Sequence, residues 1–379
     1  MTGKVAIIFG SNGISGHALT EHLLTKTSPQ DFKRIICVSQ RPPLHPFKDA
    51  DKYGRLEHIT IDLYGTPLEK MKEELKKGGA QEVTHLYFFA YRDMPTDKEL
   101  IDWNLKMLKN AVIAVEDIAS KLQRVHLQTG TKYYGCHHPN NTRTPYREEY
   151  PRLDEPNFYY DQEDFLLEHQ KGKKWAWVVV RPDVIVGSSR GNFMSMAPTI
   201  GLYFALVKEL GLPALFYGSK FWWEEFCDFS YAPLLAEFTV WASTHEQCAN
   251  EAFNCVNGDV TRWENIWPLL CKYFDVPCPE QNFNTQGKQS GLPSLIDLVK
   301  SHEHEWDGIA EKYGLDKEAF KYATWQFAEG MASRTWKVLS SMSKARKLGW
   351  TGYKDSDEMW IEIMDRLKRD RIIPNYKSK

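Results

Sequence analysis

The sequence predicts an α/β protein: a doubly wound parallel sheet followed by a smaller, mainly helical C-terminal lobe. Three observations predict it. Val5-Ala6-Ile7-Ile8-Phe9 is a short apolar run, followed at once by the turn Gly10-Ser11-Asn12-Gly13-Ile14-Ser15-Gly16 and a helical pattern from His17 to Lys26. Strand-like and helix-like stretches then alternate as far as position 190. Beyond it, aromatic residues crowd together and helical spacing dominates.

A buried strand, a glycine turn and a helix start form an anion site. Backbone N–H groups and the positive helix end face a phosphate, and missing side chains let the backbone approach it. The spacing is GxxGxxG rather than GxGxxG, and its place between strand and helix gives it meaning. A Rossmann-type domain is expected. The second strand, Arg34 to Ser39, then selects the cofactor. An acidic residue at its end would accept hydrogen bonds from a ribose and repel a 2′-phosphate; here Ser39, Gln40 and Arg41 stand there instead. A guanidinium grips a phosphate with two hydrogen bonds, so NADP(H) is expected. The competing reading of Arg41 is a solvated loop charge.

Leu56 to Leu63 reads as the third strand, ending in Asp62-Leu63, a pair suited to flank an adenine. Val83 to Tyr91 is the fourth, and Lys98 to Lys121 carries helical spacing with Asn104 inside it. That amide either bonds a backbone carbonyl or relays protons. Arg124 to Thr129 is the fifth strand, and Gly130-Thr131-Lys132-Tyr133-Tyr134 leaves its C-terminal end, where doubly wound sheets bind ligands. Trp175 to Val180 is the sixth, ended by Arg181-Pro182-Asp183. The rings at 215–217 and 221–226 suit either a core or a cleft for a hydrophobic substrate. Ser230 is expected to cap a helix, and Ala252 to Gly258 to form a short strand and turn. Helices are expected over 263–274, 292–300, 317–328, 340–347 and 356–369.

Lysine plus arginine (48) nearly balance aspartate plus glutamate (50), and no long basic run occurs, so nucleic acid and membrane surfaces are not expected partners. The seven cysteines are scattered without a CxxC pair, which fits a reducing compartment rather than secretion or a metal site. No leader or spanning segment is read, and a cytoplasmic protein is expected.

Short-chain dehydrogenases/reductases ordinarily pair a tyrosine with a lysine four residues later. Here Tyr159 is followed by Glu163 and Tyr160 by Asp164, and a lysine stands instead at position 132. Four segments decide what this departure means: Thr129-Gly130-Thr131-Lys132-Tyr133-Tyr134, Asn157-Phe158-Tyr159-Tyr160-Asp161-Gln162-Glu163-Asp164, Asn254 to Trp263, and Ser341-Met342-Ser343-Lys344 to Pro374. They resemble TGxKxY, NFYYxxED, FNxxNGDxxxW and SMxK…IIP of the progesterone 5β-reductase/iridoid synthase-like family, an atypical extended branch of that superfamily. One stretch differs: Gly135-Cys136-His137-His138 replaces a longer segment with an aromatic residue in the plant enzymes, so the substrate's shape is expected to differ.

The resemblance implies NADPH-dependent 1,4-reduction of an α,β-unsaturated carbonyl. It maps the hydroxyl that meets the enolate oxygen to Tyr159, and the lysine that supports it and the nicotinamide ribose to Lys132. An ammonium nearby would lower the tyrosine's pKa. Tyr160 is read as packing. Carried over by motif, Gly10, Ser11, Asn12, Gly13, Ile14 and Gly16 embrace the pyrophosphate. Ser39, Gln40 and Arg41 meet the 2′-phosphate, with Asp62 and Leu63 at the adenine. Ala90, Tyr91, Thr129, Pro182, Val184 and Ile185, together with Lys132 and Tyr159, line the route to the nicotinamide. The expected division is an NADP(H)-binding domain over 1–190 and a substrate lobe over 191–379, with a part near 225–260 returning to the sheet. The expected substrate is a small hydrophobic enone or enal, and a homodimer is compatible with the sequence. Open alternatives are a carbonyl reductase, a cyclase or isomerase, and an NADP(H) sensor on the same fold.

Overall fold

The computed structural model describes residues 3–43, 47, 49–138, 143–192, 194–289 and 294–376. The strands are β1 (Lys4–Phe9), β2 (Phe32–Ser39), β3 (Leu56–Thr60), β4 (His85–Phe88), β5 (Arg124–Gln128), β6 (Ala176–Pro182), β7 (Ile185–Val186), β8 (Ser230–Tyr231) and β9 (Glu251–Cys255). The helices are α1 (Ile14–Lys26), α2 (Leu68–Lys77), α3 (Asp97–Ile118), α4 (Phe158–His169), α5 (Met196–Glu209), α6 (Lys220–Glu224) and α7 (Ala232–Thr244), then α8 (Trp263–Phe274), α9 (Leu295–Tyr313), α10 (Ala319–Tyr322), α11 (Trp325–Ala332), α12 (Ser343–Lys347) and α13 (Ser356–Arg369). They fall into two compact units, one made of Met1–Asp183, Ala232–Val256 and Ser340–Gly352, the other of Val184–Tyr231, Asn257–Leu339 and Tyr353–Lys379.

In the first unit, seven parallel strands form a sheet in the order β3-β2-β1-β4-β5-β6-β9. The chain winds outward in both directions from β1, so a crevice opens beyond the C-terminal ends of β1 and β4. Val5 to Phe9 are wholly buried, as the continuous apolar run of a central parallel strand requires. Alternate side chains go to opposite faces. Ile7, Phe9, Leu86, Phe88, Val125 and Leu127 share a core with Leu108, Val112 and Val115 of α3. On the other face, the Tyr87 hydroxyl lies 2.9 Å from Ser243 of α7. The edge strand β9 is covered by the Ser341-Met342-Ser343-Lys344 segment. Asn254 Nδ2 donates to the Ser341 carbonyl at 3.2 Å, and Lys344 Nζ to the Ala252 carbonyl at 2.8 Å.

In the second unit, β7 and β8 form a short parallel pair. Trp222, Trp263, Trp267, Trp360, Phe216 and Phe229 pack ring against ring and are nearly or wholly buried. Phe216 and Trp222 are therefore core, Tyr217, Phe221 and Trp223 are half-buried, and Phe226 is exposed. Ser230 is not a helix cap as expected: it lies in β8 and its N–H donates to the Val184 carbonyl at 2.9 Å. The helix expected from 292 is α9; 292 and 293 lie outside the described residues. The helix expected over 317–328 is two short ones, because Thr324 gives its hydroxyl to the Ser195 carbonyl at 2.8 Å and its N–H to Thr199 at 3.1 Å.

His126 of β5 is wholly buried between the rings of Tyr87 and Phe89, at 5.7 and 5.1 Å. Neither ring nitrogen bonds a side chain, and burial lowers its pKa from 6.5 to about 3. The folded pKa lies below the unfolded one, so the unfolded chain takes up a proton that the folded chain refuses. Stability from this group is present above pH 6.5 and falls as the pH drops from there toward 3. His126→Leu is expected to flatten the decline between neutral pH and pH ~5 by about 2 kcal/mol, measured by urea unfolding across that range. An unchanged pH profile in the variant would count against the buried neutral imidazole.

Candidate active site

The site begins where β1 ends. Gly10 has φ +81°, and a Cβ on it would lie 2.7 Å from the backbone nitrogen of Ala90 at the end of β4. A Cβ on Gly16 would lie 2.4 Å from the Gly10 carbonyl oxygen, so α1 starts in direct contact with the turn before it. Gly13 is the N-cap of α1; it makes no side-chain cap, and the first turn holds no acid. By contrast α3, α4, α9 and α13 begin under the side chains of Thr96, Asn157, Ser294 and Asp355. A side-chain-free cradle at an uncapped helix end fits a dinucleotide pyrophosphate.

The turn also holds the end of β2. Asn12 Nδ2 donates to the Arg41 carbonyl at 2.8 Å, and Ser39 Oγ donates to the same oxygen at 2.6 Å. The backbone of Arg41 is thus pinned to the glycine turn while its side chain is exposed and has no ion-pair partner among the described residues. Gln40 is exposed beside it, whereas Ser11 and Ile14 are buried. Just past the end of β3, Asp62 is exposed and Leu63 is buried. Asp62 Oδ1 accepts the N–H groups of Tyr64 and Gly65 at 3.0 and 3.2 Å, and the Leu63 side chain is part of the core. Ala90 lies against Gly10, and the Tyr91 hydroxyl donates to Asp93 at 3.0 Å. Val184 and Ile185 belong to the second unit, Ile185 pairing with Ser230. Asn104 is structural: it bonds the Arg92 N–H, the Arg92 carbonyl and the Leu100 carbonyl.

Tyr159 stands in the first turn of α4 and reaches over the end of β5. Its hydroxyl lies 3.3 Å from where a Cβ on Gly130 would be, and the Pro182 carbonyl lies 3.4 Å from that same point. Thr129 beside it carries a buried hydroxyl without a hydrogen-bond partner. Asn157, which the sequence reading missed, ties the two halves together. Its Oδ1 caps α4 by accepting the Tyr159 N–H at 3.1 Å, and its Nδ2 donates to the Lys132 carbonyl at 2.8 Å. The preference of asparagine for helix N-caps was the signal available.

One expectation reverses. Burial, with the Cys136 thiol a lesser influence, pushes the Tyr159 phenol above its usual value instead of an ammonium drawing it down. Lys132 is exposed, and its Nζ makes no hydrogen bond or ion pair among the described residues. Tyr159 is therefore a protonated donor at neutral pH. Tyr160, one residue on, has no free capacity: its hydroxyl donates to the Tyr133 carbonyl at 2.7 Å and accepts the Leu153 N–H at 3.2 Å.

Residues 6–374 match the model of the PRISE-like Rossmann-fold domain. The chain belongs to that family. It is 36% identical to short chain dehydrogenase gsfE of Penicillium aethiopicum, over 98% of this chain and 99% of the relative. It is 32% identical to 3-oxo-Delta(4,5)-steroid 5-beta-reductase of Arabidopsis thaliana, over 98% and 93%. In structure it is similar to UDP-glucuronic acid 4-epimerase from Bacillus cereus in complex with NAD, with a TM-score of 0.62 at 14% identity over 96% of this chain and 98% of that one, which shows the shared fold. The PRISE-like family is thus one of Rossmann-fold, short-chain-dehydrogenase-like oxidoreductases that bind a nicotinamide dinucleotide. No helix among the described residues is long and apolar enough to cross a membrane, and none of their His, Cys, Asp and Glu side chains cluster to hold a metal.

The cradle yields a direct test. Gly16→Ala places a methyl group 2.4 Å from the Gly10 carbonyl oxygen, so α1 must shift away from the turn. The variant is expected to lose most of the thermal stabilisation that saturating NADPH gives the wild type, and to unfold at a lower temperature without ligand. Equal ligand-induced shifts in the two proteins would remove Gly16 from the cofactor site.

Proposed function

We propose that this protein is an NADPH-dependent ene-reductase that reduces the C=C bond of a lipophilic α,β-unsaturated ketone or aldehyde. The observation that carries the reading is Tyr159: a protonated phenol whose hydroxyl bonds nothing among the described residues, at the C-terminal sheet edge of a dinucleotide fold. The name of the Arabidopsis relative supports the substrate class.

A reduced nicotinamide, when bound, supplies hydride. The chain's own residues do the rest. The backbone of Gly10 to Gly16 and the N-terminus of α1 hold the pyrophosphate, with Ser11, Asn12 and Ile14 in the same turn. Ser39, Gln40 and Arg41 take the 2′-phosphate. Asp62 and Leu63 border the adenine through their backbone, since the carboxylate and the isobutyl group are engaged elsewhere. Ala90, Tyr91, Thr129, Lys132 and Pro182 border the nicotinamide end. Tyr159 donates a hydrogen bond to the substrate carbonyl oxygen. As the β-carbon is reduced, charge moves onto that oxygen, and a donor already in place stabilises it without reorganising. The raised pKa keeps the proton on the phenol, so the enolate oxygen is stabilised by a hydrogen bond, and the enolate takes a proton from solvent at its α-carbon, which restores the carbonyl.

Arg41 sets the cofactor preference. NADPH is expected to bind roughly tenfold to a hundredfold more tightly than NADH, the worth of one charge-assisted contact. Arg41→Ala should abolish that ratio in titration calorimetry. Equal affinities in the wild type would sink the assignment.

The reaction itself is tested with 4-deuterated NADPH and a panel of enones and enals. Label at the β-carbon with an intact carbonyl is expected; label on a carbinol carbon would make the protein a carbonyl reductase. No NADPH consumption with any substrate would leave a cyclase, isomerase or sensor. In the same assay Tyr159→Phe should lower turnover roughly a hundredfold to a thousandfold while NADPH affinity holds. Tyr160→Phe is the neighbouring comparison, and greater loss there than at Tyr159 would move the donor by one residue.

A further inference from the structure

The position that carries lysine in ordinary short-chain dehydrogenases is occupied here by Glu163, one turn after Tyr159 on α4. Residues four apart leave the same face of a helix. Glu163 has not become a solvated acid. Its side chain is 6% exposed, and its two carboxylate oxygens accept from Arg181 Nη2 on β6 at 2.9 and 3.2 Å. Arg152 adds a longer contact at 3.4 Å. Arg181 is 3% exposed, lies flat on the Tyr133 ring at 3.4 Å, and gives Nη1 to the Tyr134 hydroxyl at 3.2 Å. The Tyr134 hydroxyl in turn donates to Asn254 Oδ1 on β9 at 2.6 Å. Asn254 Nδ2 reaches the carbonyls of Tyr146 and Ser341.

This chain of contacts runs from α4 through β6 to β9. Tyr133 and Tyr134, which it clamps, directly follow Lys132. The Tyr159 hydroxyl, by contrast, bonds nothing among the described residues. Its position over Gly130 is therefore set by the helix that carries it, so a shift of α4 would carry the donor away from the substrate oxygen. We propose that Glu163 and Arg181 are positioning residues of the reaction: their buried ion pair fixes the height of α4 on the sheet and thereby the place of the Tyr159 hydroxyl. This rests on the reading of Tyr159 as the hydrogen-bond donor to the substrate oxygen.

The role separates from simple structural support in a kinetic cycle of Glu163→Gln, Tyr159→Phe and the double variant. Each is assayed with NADPH and one α,β-unsaturated ketone, with the thermal midpoint and NADPH affinity measured alongside. Glu163→Gln keeps the side-chain shape and removes the charge. It is expected to lower kcat roughly ten- to a hundredfold with NADPH affinity and the ketone KM nearly unchanged. In the Tyr159→Phe background the same substitution should cost almost nothing, because the group it positions is gone. Equal losses in the two backgrounds, or an unchanged kcat in Glu163→Gln, overturn the proposal. If Glu163→Gln does not fold, Glu163→Asp, which retains the charge and shortens the arm by one methylene, enters the same cycle with the same criterion. A Tyr159→Phe variant with full turnover would instead strike the donor assignment itself, a result visible in the single variant before the cycle is closed.

Discussion

Between residues 10 and 16 the backbone of β1, the end of β4 and the start of α1 come so close that no side chain fits among them. Gly10 adopts a left-handed conformation and meets Ala90; Gly16 meets Gly10 itself. That contact is a steric limit rather than an attraction, and much else follows from it. It leaves the N-terminus of α1 at the turn without a side-chain cap. It brings Asn12 within reach of the end of β2, so the two segments are fastened to each other. A parallel sheet buried on both faces supplies the stiffness that keeps so tight an approach in register.

How much of this is legible in the sequence depends on whether a residue's role is local. The glycine turn and the buried strands are local, and they read correctly because the backbone constraint and the apolar runs appear directly as residue types. The two C-terminal helices over 263–274 and 356–369 read to the residue because their apolar faces are sharp. Helix α2 was missed although Leu68, Met71 and Leu75 share a face, because Glu and Lys otherwise fill it. Thr324 broke an expected helix through bonds to Ser195 and Thr199, far away in sequence. Glu163 is the sharpest case. From sequence it marks only a missing lysine; its partner Arg181 is visible only once α4 lies on β6.

The two tyrosines of the NFYY segment show the same dependence on fold. They are neighbours of one kind, and burial raises the pKa of each. Tyr160 has both sides of its hydroxyl committed to main-chain groups and thereby holds the loop around Leu153 against Tyr133. Tyr159 is left with an uncommitted hydroxyl above a glycine. A helix turns by about 100° per residue, and that rotation separates a group that builds the site from one that is available to chemistry.

The first unit is not a continuous stretch of chain. Its sheet is finished by β9, and the cover of β9 comes from residues 340–352, through Ser341, Met342 and Lys344. During synthesis this unit therefore cannot be completed when its first six strands have left the ribosome. It must wait, with an open sheet edge, until nearly the whole polypeptide has emerged. An isolated N-terminal fragment would carry that edge permanently, and unpaired parallel edges invite pairing with other chains. In this protein the lobe that looks like an N-terminal module is closed only by residues more than three hundred positions into the chain.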